Sequence, residues 1–222
     1  GETAPAAEAT GTRPELVKFV NTVLNPVGRM DGDSLPVSAF KDMADGTFPQ
    51  GSTAYEKRGV AVMVPVWHAE NCIQCNQCAF VCPHATIRPF ALTEEEAAKA
   101  PAQTKFAAKP VIKTNYKFTM AISPLDCMGC TLCVKACPTK AEKRAIEMVP
   151  QATQLDQQAP FDYCVANVSE KPELINNTVK GSQFKQPLLE FSGSCAGCAE
   201  TSYARLITQL FGERMYISNA TG

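Results

Sequence analysis

Two stretches constrain this chain more than any other feature. NCIQCNQCAFVCP at 71–83 and DCMGCTLCVKACP at 126–138 share one spacing. In each, three cysteines advance in steps of three, and a fourth follows four residues later, directly before proline. They are Cys72, Cys75, Cys78 and Cys82, then Cys127, Cys130, Cys133 and Cys137. A Cys-x-x-Cys-x-x-Cys loop brings three thiolates to one face of a cubane and turns its backbone N–H groups toward sulfur. The fourth cysteine, placed on the short helix that follows, points away and in a duplicated unit serves the other cluster. Crossed ligation then assigns Cys72, Cys75, Cys78 and Cys137 to one [4Fe–4S] cluster. Cys127, Cys130, Cys133 and Cys82 fall to the other. Pro83 and Pro138 break the helix and fix the exit of the chain. No cysteine of either run is replaced, so a three-iron site is not expected.

Other uses of thiols fit poorly. Zinc knuckles usually stand as pairs separated by a longer loop, and three cysteines at successive three-residue steps crowd a single ion. The count of eleven cysteines is odd, and no secretion signal precedes them, so a disulfide framework is not expected. Clustered thiols in a reducing setting point to metal and to a cytoplasmic location. Two clusters side by side make a relay for single electrons.

Charge and hydropathy exclude other classes. Net charge is −1, and no Lys/Arg run exceeds two residues, so nucleic-acid binding has no electrostatic support. No apolar stretch approaches 18 residues, so no membrane span is expected. Apolar residues make up 45% of the chain, enough for a buried core. The chain opens on GETAPAAEATG without methionine and closes on YISNATG; both ends read as cuts in a longer polypeptide.

Along the chain, three regions are expected: a linker, helix and extended connector over 1–59, a ferredoxin-like domain over 60–151 with an insertion at 91–115, and a further domain starting at 152. TRPELVKFVNTVLNPVG predicts a helix with a Thr12–Glu15 capping box, Pro14 in its first turn and an end at Asn25-Pro26. Strands are expected at 60–67, 86–90, 116–123 and 144–151, and a helix capped by Thr93 and Glu96 at 93–98. The order strand, cysteine loop, short helix, strand occurs twice: Trp67 to Pro89 aligns with Ile122 to Met148, with extra residues near 141–144. The fold class is therefore α+β: a duplicated ferredoxin-like two-cluster domain, then the incomplete start of an α/β domain.

A third cysteine pair, Cys195 and Cys198 in FSGSCAGCAETSYARLITQLFG, precedes a predicted helix over 199–211. Its apolar side carries Tyr203, Leu206, Ile207, Leu210 and Phe211, and Gly212 is its stop. Two thiols at a helix start can be a redox pair, half of a metal site or neither; they cannot hold a cubane alone. Cys164 is a candidate third ligand, although a lone cysteine is more often a small core residue. His68 and His84 flank the first run and read as surface or packing residues, because eight thiolates already suffice. Trp67 reads as an anchor to the core, and Glu94–Glu96 as a capped, solvated turn. Glu200 reads as a first-turn acid favourable to the helix dipole.

The residues resemble the pyruvate:ferredoxin oxidoreductase family of the 2-oxoacid oxidoreductase superfamily. The likeness rests on GTFPQGSTAYEKRG, VPVWHAENCIQCNQCAFVCPHATIRP, PLDCMGCTLCVKACP and GSCAGCAETSYARLITQLFGERMYISNATG. It covers most of 34–222. It implies an enzyme that oxidatively decarboxylates pyruvate with coenzyme A to acetyl-CoA and CO₂, using thiamine pyrophosphate with Mg²⁺ under anaerobic conditions. Electrons would leave through three [4Fe–4S] clusters to an external ferredoxin or flavodoxin. The resemblance makes Cys195 and Cys198 two ligands of the cluster nearest thiamine and Glu200 an acidic neighbour of that cofactor. It makes 152–222 the start of the thiamine domain and the whole enzyme a homodimer. Ala199 stands where the family commonly has glycine. No Gly-Asp-Gly-type diphosphate motif and no coenzyme A pocket is evident in this sequence, so these residues would move electrons without performing carbon chemistry. A free-standing ferredoxin-like carrier subunit is the alternative, and a zinc-stabilised interaction module a third reading.

Overall fold

The computed structural model describes residues 9, 11 and 13–218. The chain divides into two compact units, Gly1–Arg58 and Gly59–Gly222. In the first, α1 (Pro14–Phe19) runs into a π-helical turn at Val20–Leu24 and then α2 (Asn25–Gly28). The expected end at Asn25-Pro26 is therefore wrong. Asn25 N–H donates to Val20 five residues back, and this wider turn precedes Pro26, which has no N–H of its own to place in the ladder. Thr12 of the expected capping box lies outside the described residues; Arg13 occupies the N-cap position without a side-chain bond. Leu16, Phe19, Val20 and Val23 form a small core with Ala9. Residues 29–58 hold only short 3₁₀ turns, at Gly32–Ser34, Val37–Met43 and Ser52–Tyr55.

The second unit contains, among the described residues, four strands in two antiparallel ladders. β1 (Met63–Trp67) leads to the first cysteine loop and α3 (Gln77–Phe80). β2 (Ile87–Leu92) and α4 (Glu94–Ala98) follow. β3 (Lys117–Ile122) leads to the second loop and α5 (Leu132–Ala136), and β4 (Ile146–Pro150) closes the duplication. β1 pairs with β4, Trp67 opposite Ile146, and β2 pairs with β3, Ile87 opposite Ile122. Each ladder thus takes one strand from each copy. Strand β1 is shorter than its apolar run suggests: Val60 and Val62 are exposed, and beyond the Met63–Pro150 pair the ladder gives way to a bond from Gln151 N–H to the Val62 carbonyl and a 3₁₀ turn. The extra residues of the second copy form a 3₁₀ turn at Ala141–Lys143.

The core between the ladders is built from Trp67, Ile87, Phe118, Met120, Ile122 and Ile146, and it includes Cys82 and Cys133. Trp67 meets Phe118 edge-on at 6.0 Å. Helix α3 packs on α5. The tail adds α6 (Gln158–Asn167), α7 (Val179–Ser182) and α8 (Ala199–Phe211). α6 lies against β3 and α7 against α3. Helix α8 has the expected bounds, but its burial is reversed. Thr201, Arg205 and Gln209 are buried, while Tyr203, Ile207 and Phe211 are exposed. Gly212 is not a left-handed stop, since its backbone is right-handed and a 3₁₀ turn continues to Arg214. A methyl group there would meet Leu188 at 2.3 Å.

The capping box on α4 is present, with Thr93 N–H donating to Glu96 and Glu96 N–H to Thr93. Glu96 does more than cap. It also accepts from Lys171 Nζ at 3.0 Å and from Ser169 N–H and Oγ, tying α4 to the tail. Burial pushes its pKa up, but the Thr93 and Ser169 N–H groups and the Lys171 ammonium outweigh this and hold it at about 2. A carboxylate held below its ordinary 4.5 stabilises the fold fully above that pH and loses the contribution as pH falls toward 2. Glu96→Gln is therefore expected to lower the urea midpoint at pH 7, with the gap from the unmodified protein narrowing by pH 3. A gap independent of pH would contradict this account.

Candidate metal centre

The two cysteine loops share one backbone design. Two residues after the first cysteine, and again four after it, the chain turns left-handed, at Gln74 and Asn76 in one loop and at Gly129 and Thr131 in the other. These turns aim N–H groups back at sulfur: Gln74 N–H donates to Cys72 Sγ and Gly129 N–H to Cys127 Sγ, each at 3.4 Å. At Gly129 a side chain would meet the Met63 carbonyl at 3.1 Å, so glycine suits both the conformation and the space. Gln74 and Asn76 adopt the same conformation with side chains in place, and other contacts hold them there. Gln74 Nε2 donates to Lys109 O at 2.8 Å, and Asn76 Nδ2 to Lys180 O at 2.9 Å.

The third cysteine of each run, Cys78 and Cys133, sits within α3 or α5. The fourth does not lie on the helix as expected. Cys82 follows the C-cap Val81 of α3, and Cys137 is itself the C-cap of α5. The helices are too short to reach it, and at Cys137 the backbone is extended.

Cys72, Cys75, Cys78 and Cys137 line one cavity, together with Trp67, Asn76, Thr139 and Ile146. Burial raises the Cys72 thiol, and its neighbours Cys75 and Cys137 add to the rise, while Gln74 N–H and the Trp67 side chain oppose it. Cys78 is pushed well above its ordinary value by burial, then by Cys133, Cys72 and Cys75. In the second group, burial takes Cys127 to about 12, with Cys82 and Cys130 contributing. Cys133 rises through burial and then Cys82, Cys127 and Cys130. Every interaction across the runs thus follows the crossed pattern, apart from Cys78 with Cys133, which face each other between the two groups.

The donor set suits a polynuclear group. A cubane carries an iron at each liganded corner and spreads its thiolates over a wider frame than the roughly 2.3 Å bonds of one zinc allow. The Trp67 Nε1–H, buried beside this cavity, makes no full hydrogen bond within the protein, although it lies near enough to Cys72 to act on that thiol.

The third pair lies beside the second group. Gly197, between Cys195 and Cys198, abuts Cys130 and Leu132. Cys198 stands at the N-cap of α8, where the Thr201 hydroxyl and N–H hold its thiol below its ordinary value. Cys195 is exposed. Glu200 lies in the first turn of α8, exposed to solvent. Cys164 is fully buried on α6, its thiol pushed up to about 12 by burial, and no other cysteine is among the groups that perturb it. His68 Nε2 pairs with Glu147 at 2.8 Å. His84 is buried and bonds the Ser194 carbonyl at 3.0 Å, so it holds the approach to Cys195.

Three buried charges were not legible as site-builders. Arg88 pairs with Glu190 and stacks over Phe161 and Phe191, each 5.2 Å from its guanidinium. Lys171 binds Glu96. Arg205 donates to Gln209 at 2.8 Å and to the Ala79 and Phe80 carbonyls at the end of α3. The one available signal was the polar stripe Thr201, Arg205, Gln209, spaced i, i+4 along the helix.

Residues 71–141 match the model of a 4Fe-4S dicluster domain, and residues 4–61 that of the EKR domain, a domain of unknown function. A pyruvate-flavodoxin oxidoreductase of Klebsiella pneumoniae is 52% identical over 219 residues, which is 98% of this chain and 18% of the relative. A pyruvate:ferredoxin oxidoreductase of Moorella thermoacetica is 50% identical over 97% of the chain and 18% of its own length. A mitochondrial pyruvate dehydrogenase [NADP(+)] of Euglena gracilis is 43% identical over 99% of the chain and 12% of its length. The chain spans less than a fifth of the length of these relatives. No helix among the described residues is long and apolar enough to cross a membrane.

Proposed function

We propose, on the premise that the chain belongs to the pyruvate:ferredoxin and pyruvate-flavodoxin oxidoreductase family, that it is the electron-transfer segment of such an enzyme. In this reading Cys72, Cys75, Cys78 and Cys137 hold one [4Fe–4S] cluster, and Cys127, Cys130, Cys133 and Cys82 hold the second. Cys195 and Cys198 supply two ligands of a third, and residues 152–222 begin the thiamine-pyrophosphate domain, with Glu200 near that cofactor. When bound, the clusters supply one-electron carriers between the oxidation of pyruvate to acetyl-CoA and CO₂ and an external ferredoxin or flavodoxin. The coenzyme A and thiamine–Mg²⁺ chemistry belongs to the whole enzyme, which we take to be a cytoplasmic homodimer.

The residues of this chain bind, orient and shield. Burial raises the thiols of Cys72, Cys78, Cys127 and Cys133 and keeps these four neutral without metal, so loading them releases protons. The N–H groups of Gln74 and Gly129 then face thiolate sulfur and favour added negative charge. The place of Gly197 against Cys130 supports an order in which the third pair feeds the Cys127 group, and the Cys72 group forms the outer end.

The observation that carries this reading is that Cys137, from the second run, shares a cavity with three cysteines of the first. Anaerobic purification is expected to give a brown protein with about eight iron and eight acid-labile sulfide in the two ferredoxin-type sites. Reduction is expected to give an electron paramagnetic resonance (EPR) spectrum of two coupled clusters. A colourless protein containing zinc would overturn it.

A further inference from the structure

Backbone donors serve both cysteine groups alike, but side-chain donors do not. We propose that Trp67 and Thr139 donate hydrogen bonds into the site of Cys72, Cys75, Cys78 and Cys137 and raise the reduction potential of that site alone. The proposal rests on the functional reading above. Trp67 is 4% exposed, its Nε1–H makes no full hydrogen bond within the protein but lies near enough to Cys72 to lower that thiol, and the ring lines the cavity those cysteines share. An indole N–H is a donor only, and leaving one unmet in a dry core is costly. Its acceptor is therefore sulfur, either the Cys72 thiolate or sulfide bound beside it.

Thr139 lines the same cavity. Its oxygen accepts from Ala145 N–H at 3.0 Å and stands 3.1 Å from Cys137 Sγ. With that acceptor role taken by an amide, the hydroxyl proton is free for sulfur. In the other copy Ile122 replaces Trp67 at the equivalent place before the first cysteine, and isoleucine has no donor. Thr86 stands 3.5 Å from Cys82 Sγ, a longer contact. Donors to sulfur favour the more negative, reduced state. Trp67 and Thr139 therefore tune the outer end of the relay, the site farther from the Cys195–Cys198 loop.

The test is a potentiometric EPR titration of the full chain with its clusters. Trp67→Phe and Thr139→Val are each expected to lower the midpoint of one cluster. The shift is expected to be about tenfold in the reduced-to-oxidised ratio at fixed potential, or about 59 mV for one electron. The signal that moves is the one lost in Cys72→Ala, and Thr139→Ser restores the original value. Trp67 is the sole tryptophan, so ¹⁵N-indole labelling of the unmodified protein marks one atom. The reduced outer cluster is expected to show hyperfine coupling to it, whether or not the variants fold. Full iron content with both potentials unmoved and no ¹⁵N coupling overturns this proposal and leaves the relay standing. An unmodified protein without clusters overturns the relay as well.

Discussion

Cys82→Ala is expected to remove about four of some eight irons, and the cluster it removes is the one lost in Cys127→Ala, not the one lost in Cys72→Ala. In sequence, Cys82 belongs to the first run. In space it perturbs Cys127 and Cys133, whereas Cys137 perturbs Cys72. The exchange is a consequence of the ladders, which set each loop against the closing helix of the other copy. The measurement is iron and sulfide content with EPR spin counting for the three variants and for Cys137→Ala. Four patterns that pair Cys82 with Cys127 and Cys137 with Cys72 fit the geometry. A Cys82→Ala spectrum that matches Cys72→Ala would show each run closing its own site and refute the crossed assignment.

Arg205→Met is expected to cost about 3 kcal/mol of stability, because several buried acceptors lose a donor at once. Arg205 is 1% exposed. Its guanidinium satisfies Gln183, Gln209 and the carbonyls of Ala79 and Phe80 at once. Methionine fills the volume but leaves these buried acceptors short of donors, at roughly 1–3 kcal/mol each and not additively. The same bonds fasten α8 to the end of α3, so their loss also frees the Cys195–Cys198 loop from Cys130. Urea unfolding gives the energy. Hydrogen exchange over 199–211 shows whether α8 detaches first. Arg205→Lys keeps the charge but not the fork of donors, and is expected to recover only part of the loss. An unchanged midpoint for Arg205→Met would mean that α8 is held by something other than this network.

What the sequence reveals here depends on how local the cause is. The cysteine spacing is a local pattern with a single best chemistry. The Thr93–Glu96 box is likewise local, and both appear as expected. The crossed pairing concerns distant residues, yet two copies of one motif carry the information for it twice, and Cys137 lines a cavity with the cysteines of the first run. Arg88 and Lys171 gave no such warning, and Arg205 gave only its i, i+4 spacing with Thr201 and Gln209. Their partners lie far along the chain, Glu190 for Arg88, Ala79 and Phe80 for Arg205, and Glu96 for Lys171, and nothing near an arginine announces that it will be buried. The same gap explains the reversed burial of α8. An apolar stripe states which side of a helix avoids water, but the neighbouring surface decided which side met this unit, and that surface offered bare helix-end carbonyls. The Val60–Val62 run failed as strand for a related reason, since a strand needs a straight partner and the partner chain bends into a 3₁₀ turn after Pro150.

The ladders carry one consequence for ancestry. Every strand of the repeated unit finds its mate in the other repeat, β1 with β4 and β2 with β3. A single repeat, alone, would therefore expose two unmatched edges and pair with nothing. Two identical copies related by a twofold axis would satisfy each other. A gene encoding one repeat thus specifies a symmetric pair, and fusing two such genes converts that association into a covalent one, after which each half is free to diverge. Trp67 set against Ile122 is such a divergence.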